Sequence, residues 1–265
     1  MAERVTIDIK DFVAEVGLNR ADKMNAMDPA MFAALSEAGE SLKGRDDVRA
    51  VVLYGRGDNF CAGIDTNSLG TMIRDMDKLR AELLNPPEGA QANAFQKPCF
   101  VWQELAVPVI AALQGVAFGG GAQLALAADF RFAAEDLKFS LMETKWGIVP
   151  DLGFTQNLPK LIRADQAKEL IMTARILAAE EAATMGLVTR LCADPLAEAR
   201  AFATLLAGRM PAAMQAAKRL VDQSWSAAPG RGLKMEAEAQ VELIGSPNQV
   251  ETVMAVMQKR QPKYT

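Results

Sequence analysis

The feature that most constrains this chain is a run of three glycines between two apolar stretches. Pro108–Leu113 is short, apolar and β-branched and predicts a buried strand, whereas Ala122–Ala128 is rich in alanine and predicts a buried helix. Gly119, Gly120 and Gly121 lie in the turn. Glycine allows close backbone approach, and N–H groups at a helix start favour negative charge. The stretch therefore indicates either a site for a phosphate or developing oxyanion, or simply a tight connection in an α/β layer.

Known nucleotide-binding motifs do not fit this turn. A G-x-G-x-x-G dinucleotide motif would need a further glycine where Leu124 stands, and no G-x-x-x-x-G-K-[ST] sequence occurs in the chain. An oxyanion site remains, and it requires a second backbone donor together with an acid or base.

Composition narrows the class of protein. The chain has 265 residues, of which half are hydrophobic, and a net charge of −4, which predicts a globular protein with a sizeable core. There is no basic cluster, so neither nucleic acid nor an anionic membrane is an expected partner. No apolar run reaches the ~18 residues of a membrane span, and the first residues are too charged for a signal peptide. We therefore expect a cytoplasmic protein.

The chain contains no histidine, which limits its chemistry sharply. Ser-His and Cys-His nucleophilic systems and histidine-containing zinc sites are excluded. Cys61, Cys99 and Cys192 are scattered without the spacing of a metal site or disulfide framework, so no metal is expected. Cys61 lacks a histidine to activate it as a nucleophile. Proton chemistry must therefore come from carboxylates, Lys, Tyr, Cys or bound water.

The remaining pattern predicts an α/β core followed by helices. A hairpin is predicted over residues 5–18, a helix from Asp28-Pro29 to about Lys43, and a buried strand over Ala50–Tyr54. Thr71–Lys97 ends in a weakly structured sequence and is interpreted as a lid or a surface insertion. Short strands are predicted after the glycine run, and helical periodicity continues from about Leu161 to Lys259.

Two further turns carry candidate functional residues. Gly55–Asp65 follows a predicted strand and is rich in small residues, which permits close backbone approach to a ligand or makes a plain surface turn. Glu143 and Asp151 flank a third turn that also contains Trp146 and Ile148. Most carboxylates are simply solvated, but apolar surroundings raise the proton affinity of a carboxylate toward the range useful for acid–base catalysis at neutral pH.

Taken together, these turns resemble those of the crotonase family, also called the enoyl-CoA hydratase/isomerase family. The resemblance runs from end to end and is carried by NRADKMNAMD, NFCAGID, IAALQGVAFGGGAQLALAAD and ETKWGIVPDLG with the following QNLPKL. It implies an α/β spiral of repeated ββα units over residues 1–193 and a helical region over 194–265. That region would pack homotrimers or dimers of trimers.

The resemblance also implies a site for an acyl-CoA thioester, with no cofactor beyond the CoA of the substrate. The backbone N–H groups of Ile64 and Gly120 would form an oxyanion hole for the thioester carbonyl. Further residues would contact the substrate or its CoA moiety: Lys23, Ala62, Gly63, Asp65 and Gly119.

One departure from the family pattern bears on the reaction. The family's hydratases use two glutamates, one at the position of Glu143 and one where this chain has Gln123. An amide cannot act as a general base, so the prediction favours an enoyl- or dienoyl-CoA isomerase. Glu143 would be the main acid/base, Asp151 a second proton carrier, and Gln123 an orienting group. The alternatives are an enoyl-CoA hydratase and a non-catalytic acyl-CoA-binding protein.

Overall fold

The computed structural model describes residues 3–68 and 76–265, which form two β-sheets with helices packed against them. The strands are β1 (Val5–Lys10), β2 (Val13–Leu18), β3 (Ala50–Gly55), β4 (Val109–Leu113), β5 (Val116–Phe118), β6 (Phe130–Ala133), β7 (Lys138–Ser140), β8 (Leu177–Ala178) and β9 (Arg190–Leu191). The helices with assigned bounds are α1 (Pro29–Leu42), α2 (Met76–Leu84), α3 (Lys97–Glu104), α4 (Gly120–Ala127), α5 (Leu158–Leu161), α6 (Ala164–Thr173), α7 (Ala179–Thr184), α8 (Pro195–Ala207), α9 (Pro211–Ser224), α10 (Pro229–Leu243) and α11 (Pro247–Met257). Short 3-10 helices occur at Ala21–Lys23, Glu143–Trp146 and Phe154–Gln156.

The larger sheet brings the functional turns to one edge. Its strand order is β1-β2-β3-β4-β6-β9, with β1 antiparallel to β2 and the other neighbours parallel. Strand β4 has the sequence VIAAL and is buried at every position, as expected for a strand covered on both faces. Because parallel strands end at the same edge, the loops at residues 19–27, 56–65 and 114–119 meet there. The smaller sheet, β5-β7-β8, continues from the third loop.

Two hydrophobic clusters cover the larger sheet. The main one joins the sheet to α1, α3 and α4 and includes Leu35, Trp102 and Leu124. The second lies on the opposite face, where Ala199 and Ala203 belong to α8. This second face of the sheet therefore depends on α8 for its cover.

Helix α3 is held firmly beside the site. Gly39 of α1 faces Val101 of α3 so closely that a methyl group on Gly39 would lie 2.5 Å from the Val101 side chain. Trp102 is fully buried and its indole N–H donates to the Pro98 carbonyl at 2.8 Å. These contacts orient the opposite face of α3, which carries Phe100 and Gln103.

Lys218 ties the first of the C-terminal helices to the core. Lys218 of α9 donates from Nζ to the Val107 carbonyl at 3.0 Å and to Asp129 Oδ2 at 2.8 Å. Asp129 Oδ2 also accepts from the Val109 backbone N–H. No helix among residues 3–68 and 76–265 is long and apolar enough to cross a bilayer.

The α/β architecture predicted from the sequence is confirmed, as are the hairpin, the helix after Asp28 and the strand–turn–helix unit. Three short strands, β5, β8 and β9, are additions that the sequence pattern did not indicate. Part of the predicted lid, residues 71–75, lies outside the described residues, and residues 76–84 form α2. The division of the chain after residue 193 stays a prediction.

Candidate active site

Two glycine turns from different loops lie against each other. Cys61 pairs with Ala117 in a parallel bridge, and the Phe118 N–H donates to the Cys61 carbonyl at 3.0 Å. Gly63 has a φ of 86°, and a methyl group there would lie 2.5 Å from the Phe118 carbonyl oxygen and 3.3 Å from the Gly120 nitrogen. Only glycine permits this approach, because the left-handed backbone and the close contact both exclude a side chain.

This arrangement leaves two backbone donors close together. Among the hydrogen bonds of residues 3–68 and 76–265, neither the Ile64 N–H nor the Gly120 N–H has a protein acceptor. Gly120 is the first residue of α4, and Gly119, which precedes it, has a φ of 49°. Two unpaired N–H groups, one of them at a helix start, can stabilise negative charge on a carbonyl oxygen. These are the two donors that the family resemblance implies for an oxyanion hole, and that role stays a prediction.

Glu143 lies beside this pair of turns and is held by Gln123. Gln123 Nε2 donates to Glu143 Oε1 at 2.6 Å, and Gln123 Oε1 accepts from the Leu152 backbone N–H at 2.7 Å. A methyl group on Gly119 would lie 3.4 Å from Glu143 Oε1. The amide of Gln123 is thereby fixed in one orientation, with its NH₂ group toward the carboxylate.

The second oxygen of Glu143 is the chemically available one. Glu143 is buried, and among the described residues its Oε2 has no hydrogen-bond partner. Burial raises the pKa of this carboxyl group, the hydrogen bond from Gln123 opposes the rise, and the nearby Asp151 charge adds to it. A carboxylate that is desolvated and has one unpaired oxygen is suited to accept a proton.

Asp151 lies at the outer side of the same turn. Its side chain is exposed to solvent, yet the surrounding protein atoms raise the pKa of the carboxyl group by desolvation. The structure therefore brings Gln123, Glu143 and Asp151 together, with Gln123 and Glu143 in direct contact and Asp151 acting on Glu143 through its charge.

The predicted CoA-contacting residues fall into two groups. Lys23 is exposed on the loop after β2, whereas Ala62, Gly63 and Gly119 form the walls of the paired glycine turns. Asp65 is buried, and its Oδ2 accepts from Arg20 Nη1 at 2.6 Å. The hydrogen bond from Arg20 lowers the pKa of Asp65. Asp65 therefore supports the turn that carries Ile64, and its side chain faces the protein.

Sequence reasoning missed three residues of this site. Arg20 was not indicated because its partner Asp65 is distant in the chain. The Leu152 N–H binds Gln123, and Gln103 lies near Gly153; both contacts depend on the fold of the 151–153 turn, which no local sequence pattern predicts. Cys61 was considered as a nucleophile, and the structure agrees with its rejection. Burial raises the pKa of its thiol to about 12, so it stays protonated at neutral pH.

A cavity of about 740 Å³ lies at the other end of α4, and Glu143 does not line it. It is bordered by α3, by the end of α4 and by α9. Among the described residues, no group of three or more His, Cys, Asp or Glu side chains is placed to hold a metal ion.

Comparison with known proteins gives matches over nearly the whole chain. The sequence model of the enoyl-CoA hydratase/isomerase family matches residues 8–265. The mouse mitochondrial methylglutaconyl-CoA hydratase is 32% identical over 259 residues, covering 95% of this chain and 79% of that protein. The peroxisomal Δ(3,5)-Δ(2,4)-dienoyl-CoA isomerase of Arabidopsis thaliana is 30% identical over 260 residues, covering 93% and 90%.

A solved structure extends the match to three dimensions. The crystal structure of an enoyl-CoA hydratase from Bacillus anthracis superposes with a TM-score of 0.88 at 32% identity, covering 98% of each chain. The fold expected from the sequence resemblance is thereby confirmed, including its C-terminal helices. With paired glycine turns, a buried glutamate and end-to-end similarity in both sequence and fold, the chain belongs to the enoyl-CoA hydratase/isomerase family.

Proposed function

We propose that this protein is an acyl-CoA isomerase that moves a double bond in an enoyl- or dienoyl-CoA ester by proton transfer at Glu143. The observation that carries the proposal is the chain of hydrogen bonds from the Leu152 N–H through Gln123 to Glu143. It leaves one buried carboxylate, with one unpaired oxygen, next to two backbone donors. A site with a single base is suited to take a proton from one carbon and return it to another.

The steps follow from these positions. The thioester oxygen would accept hydrogen bonds from the Ile64 and Gly120 N–H groups. Glu143 Oε2 would remove a proton from the acyl chain, and the electron pair of the broken C–H bond would move into a dienolate whose negative charge rests on the thioester oxygen. Returning the proton to a different carbon regenerates the carboxylate and shifts the double bond. Each backbone donor is worth about 10²–10³ in rate, and acid–base catalysis about 10²–10⁴.

Asp151 would serve as a second proton carrier in this scheme. Its carboxyl group is exposed, has a raised pKa and affects Glu143 electrostatically. It could therefore exchange protons with water when the substrate's new proton enters at a carbon that Glu143 does not reach.

Hydration of a 2-enoyl-CoA is the second candidate, and the names of the relatives favour it. The mouse protein and the Bacillus anthracis structure are both named as hydratases. Gln123 would then orient a water molecule with its remaining N–H, while Glu143 would act alone or with Asp151. Because the amide of Gln123 cannot take up a proton, this mechanism lacks a carboxylate at position 123 to activate water.

We also propose that the protein acts as a homotrimer or a dimer of trimers, in the cytoplasm. Large apolar side chains are exposed on the C-terminal helices, and such surfaces are typical of subunit interfaces. They include Val221, Trp225, Leu233, Val241, Ile244, Val250, Val253, Met254, Val256 and Met257.

The proposal is tested with 2-enoyl-, 3-enoyl- and 3,5-dienoyl-CoA esters in deuterated water, followed by mass spectrometry. Wild type should move the double bond without adding water, and Glu143→Gln should lose about 10²–10⁴ in turnover while still binding CoA esters. Asp151→Asn tests whether a second carboxylate takes part, because its turnover should fall only if Asp151 carries a proton. Dominant water addition, increased in Gln123→Glu, would favour the hydratase. Binding without exchange on any ester would indicate a non-catalytic acyl-CoA-binding protein.

A further inference from the structure

Among the described residues, two buried side-chain polar atoms lack a hydrogen-bond partner: Glu143 Oε2 and Gln103 Nε2. Buried polar groups in folded proteins are almost always paired, so each exception requires an explanation. The proposed chemistry explains Glu143, because a base must keep one oxygen for the proton it accepts. It does not explain Gln103.

The side chain of Gln103 lies beside Gly153, the residue that follows Leu152. A methyl group on Gly153 would lie 3.9 Å from Gln103 Nε2 and 3.8 Å from Phe100 Cδ2. Gly153 directly follows Leu152, whose N–H holds Gln123. The amide of Gln103 therefore faces the turn that shapes the inner side of the active site, and it approaches from α3.

The same side chain also lines the cavity of about 740 Å³. Leu126 and Ala127 of α4 line it as well, roughly one helical turn beyond Gln123, which contacts Glu143. Its volume falls within the range of small-molecule pockets, and such pockets combine apolar walls with a few placed polar groups. The cavity volume is sufficient for the distal part of an acyl chain that extends from Glu143 past the 151–153 turn.

Several other polar groups of this cavity are engaged. Lys218 pairs with Asp129, and Glu104 pairs with Lys43 and Lys97. Gln156 is exposed and donates to Thr155 Oγ1. Asp222 and Gln91 also line the cavity but are exposed, so among the described residues Gln103 Nε2 is the buried lining donor without a partner.

From these contacts, and on the basis of the proposed acyl-CoA function, we infer that Gln103 selects acyl chains that carry an oxygen substituent beyond the reacting carbons. A hydroxyl, keto or carboxylate oxygen would accept the hydrogen bond from Nε2. A plain alkyl chain would leave this donor without a partner. We therefore expect the alkyl ester to bind roughly ten- to a hundredfold more weakly than the oxygenated one.

The test uses saturated acyl-CoA esters, which bind without reacting, measured by isothermal titration calorimetry. The esters are used in pairs of equal chain length, in which one member carries a hydroxyl group and the other a methyl group on the same distal carbon. The position of that carbon changes from one pair to the next. Wild type should prefer the hydroxylated member of one pair by about ten- to a hundredfold. Gln103→Met, which keeps length and helix propensity, should abolish the preference. Gln156→Leu, a glutamine at the same cavity with its own partner, should retain it.

Three outcomes would overturn the inference. First, wild type could bind both members of every pair equally; this result does not depend on whether any variant folds. Gln103→Met could keep the wild-type preference. The same variant could lose the preference only together with a change of association state in light scattering, which would assign the amide to a contact with a second copy. Failure of every ester to bind would reject the proposed acyl-CoA function itself, and the inference with it.

Discussion

At the scale of single residues, Glu143 is held in an environment that opposes its negative charge. Its side chain is 5% exposed and receives one hydrogen bond from protein, from an amide that is itself fixed by the Leu152 N–H. The burial that makes the carboxylate a stronger base also makes its charged form costly in the folded protein. Under the proposed function, catalytic competence and stability are therefore opposed at this residue.

This opposition predicts how stability varies with pH. Because the pKa of Glu143 is higher in the folded protein than its ordinary value of 4.5, the folded state binds the proton more tightly. The contribution of Glu143 to the free energy of unfolding is therefore greatest at low pH and decreases as pH rises through the folded-state pKa. Glu143→Gln should raise Tm relative to wild type, and by more at neutral pH than at pH values below 4.5.

Thermal unfolding of wild type and Glu143→Gln across pH, with exposed Glu236→Gln as control, checks this expectation. A stability difference independent of pH would contradict it. The raised pKa of Glu143 also affects the pH profile of activity, because a base must be deprotonated to act. As the pH is lowered, kcat/KM of wild type should begin to fall at a higher pH than it would with a glutamate of ordinary pKa.

Gly63 offers a test of the paired glycine turns. Gly63→Ala places a methyl group 2.5 Å from the Phe118 carbonyl, so the two turns must separate. Loss of one donor from the hole should lower kcat by about 10²–10³ while the fold is retained. Gly44→Ala is the matched control, because Gly44 also has a positive φ, of 67°, and its added methyl group has no atom within 4 Å. Equal losses in the two variants would attribute the effect to backbone strain alone.

The sequence predicts some of these residues better than others. Glu143, Gln123 and the glycine turns are recognisable because local sequence and family spacing mark them. Arg20 and Gln103 are not, because their roles arise from contacts between segments that only the tertiary fold brings together. Whether a buried polar atom has a partner is likewise a property of packing, and no local pattern encodes it.

At the scale of elements, the loop between β2 and α1 is bonded to the turn that carries Ile64. Arg20 Nη1 donates to Asp65 Oδ2 and to the Ala26 carbonyl, and its Nε lies 3.7 Å from Asp28 Oδ2. Asp28 Oδ1 also accepts from the Met31 N–H and so caps α1. Asn25 Nδ2 binds the Arg56 and Asn59 carbonyls. Hydrogen bonds and ion pairs therefore join this loop, the start of α1 and the turn that carries Ile64 into one unit.

Removing Arg20 should disturb this unit and the chemistry with it. Arg20→Gln leaves the buried Asp65 carboxylate without its cation, and we expect a loss of about 3 kcal/mol in stability. At temperatures where the variant is still folded, kcat should also fall. Ile64 directly precedes Asp65, so a displaced Asp65 would move the Ile64 N–H. A bound chromophoric cinnamoyl-CoA ester would report weaker polarisation of its carbonyl as a smaller spectral shift.

Arg4→Gln provides the control for Arg20→Gln. Arg4 also pairs with Asp28, at 2.7 Å, but it does not contact Asp65. Its loss should cost less stability and leave the spectral shift unchanged. Adding Asp65→Asn to Arg20→Gln should recover part of the stability, since no buried charge is then left unpaired. An unchanged spectral shift in Arg20→Gln would exclude a positioning role.

Element boundaries are predictable where the chain marks them chemically. Asp28-Pro29, Asp194-Pro195 and Ser246-Pro247 each combine a capping side chain with a first-turn proline, and helices begin at all three. The strands Leu177–Ala178 and Arg190–Leu191 were missed because two residues carry no periodicity. Such strands exist only through the partners with which they pair.

At the scale of the whole molecule, the exposed apolar side chains of α10 and α11 predict association. Met257 is 75% exposed, and Met257→Glu should weaken the proposed trimer by placing charge in its interface. Light scattering across a concentration series would measure the shift toward monomer. Met172→Glu is the control, because Met172 is 73% exposed on α6, outside the C-terminal helices. Dissociation of the control alone would place the interface elsewhere.

The cover that α8 provides over the second face of the sheet has a consequence for synthesis of the chain. Val52, Ile110 and Phe132 on that face are buried together with Ala199 and Ala203 of α8, which the ribosome makes later. A nascent chain that has already produced β2, β3, β4 and β6 therefore still presents an apolar sheet surface to its surroundings. Until residue 207 has emerged, this apolar face lacks its cover, and premature termination before α8 should yield an aggregation-prone fragment.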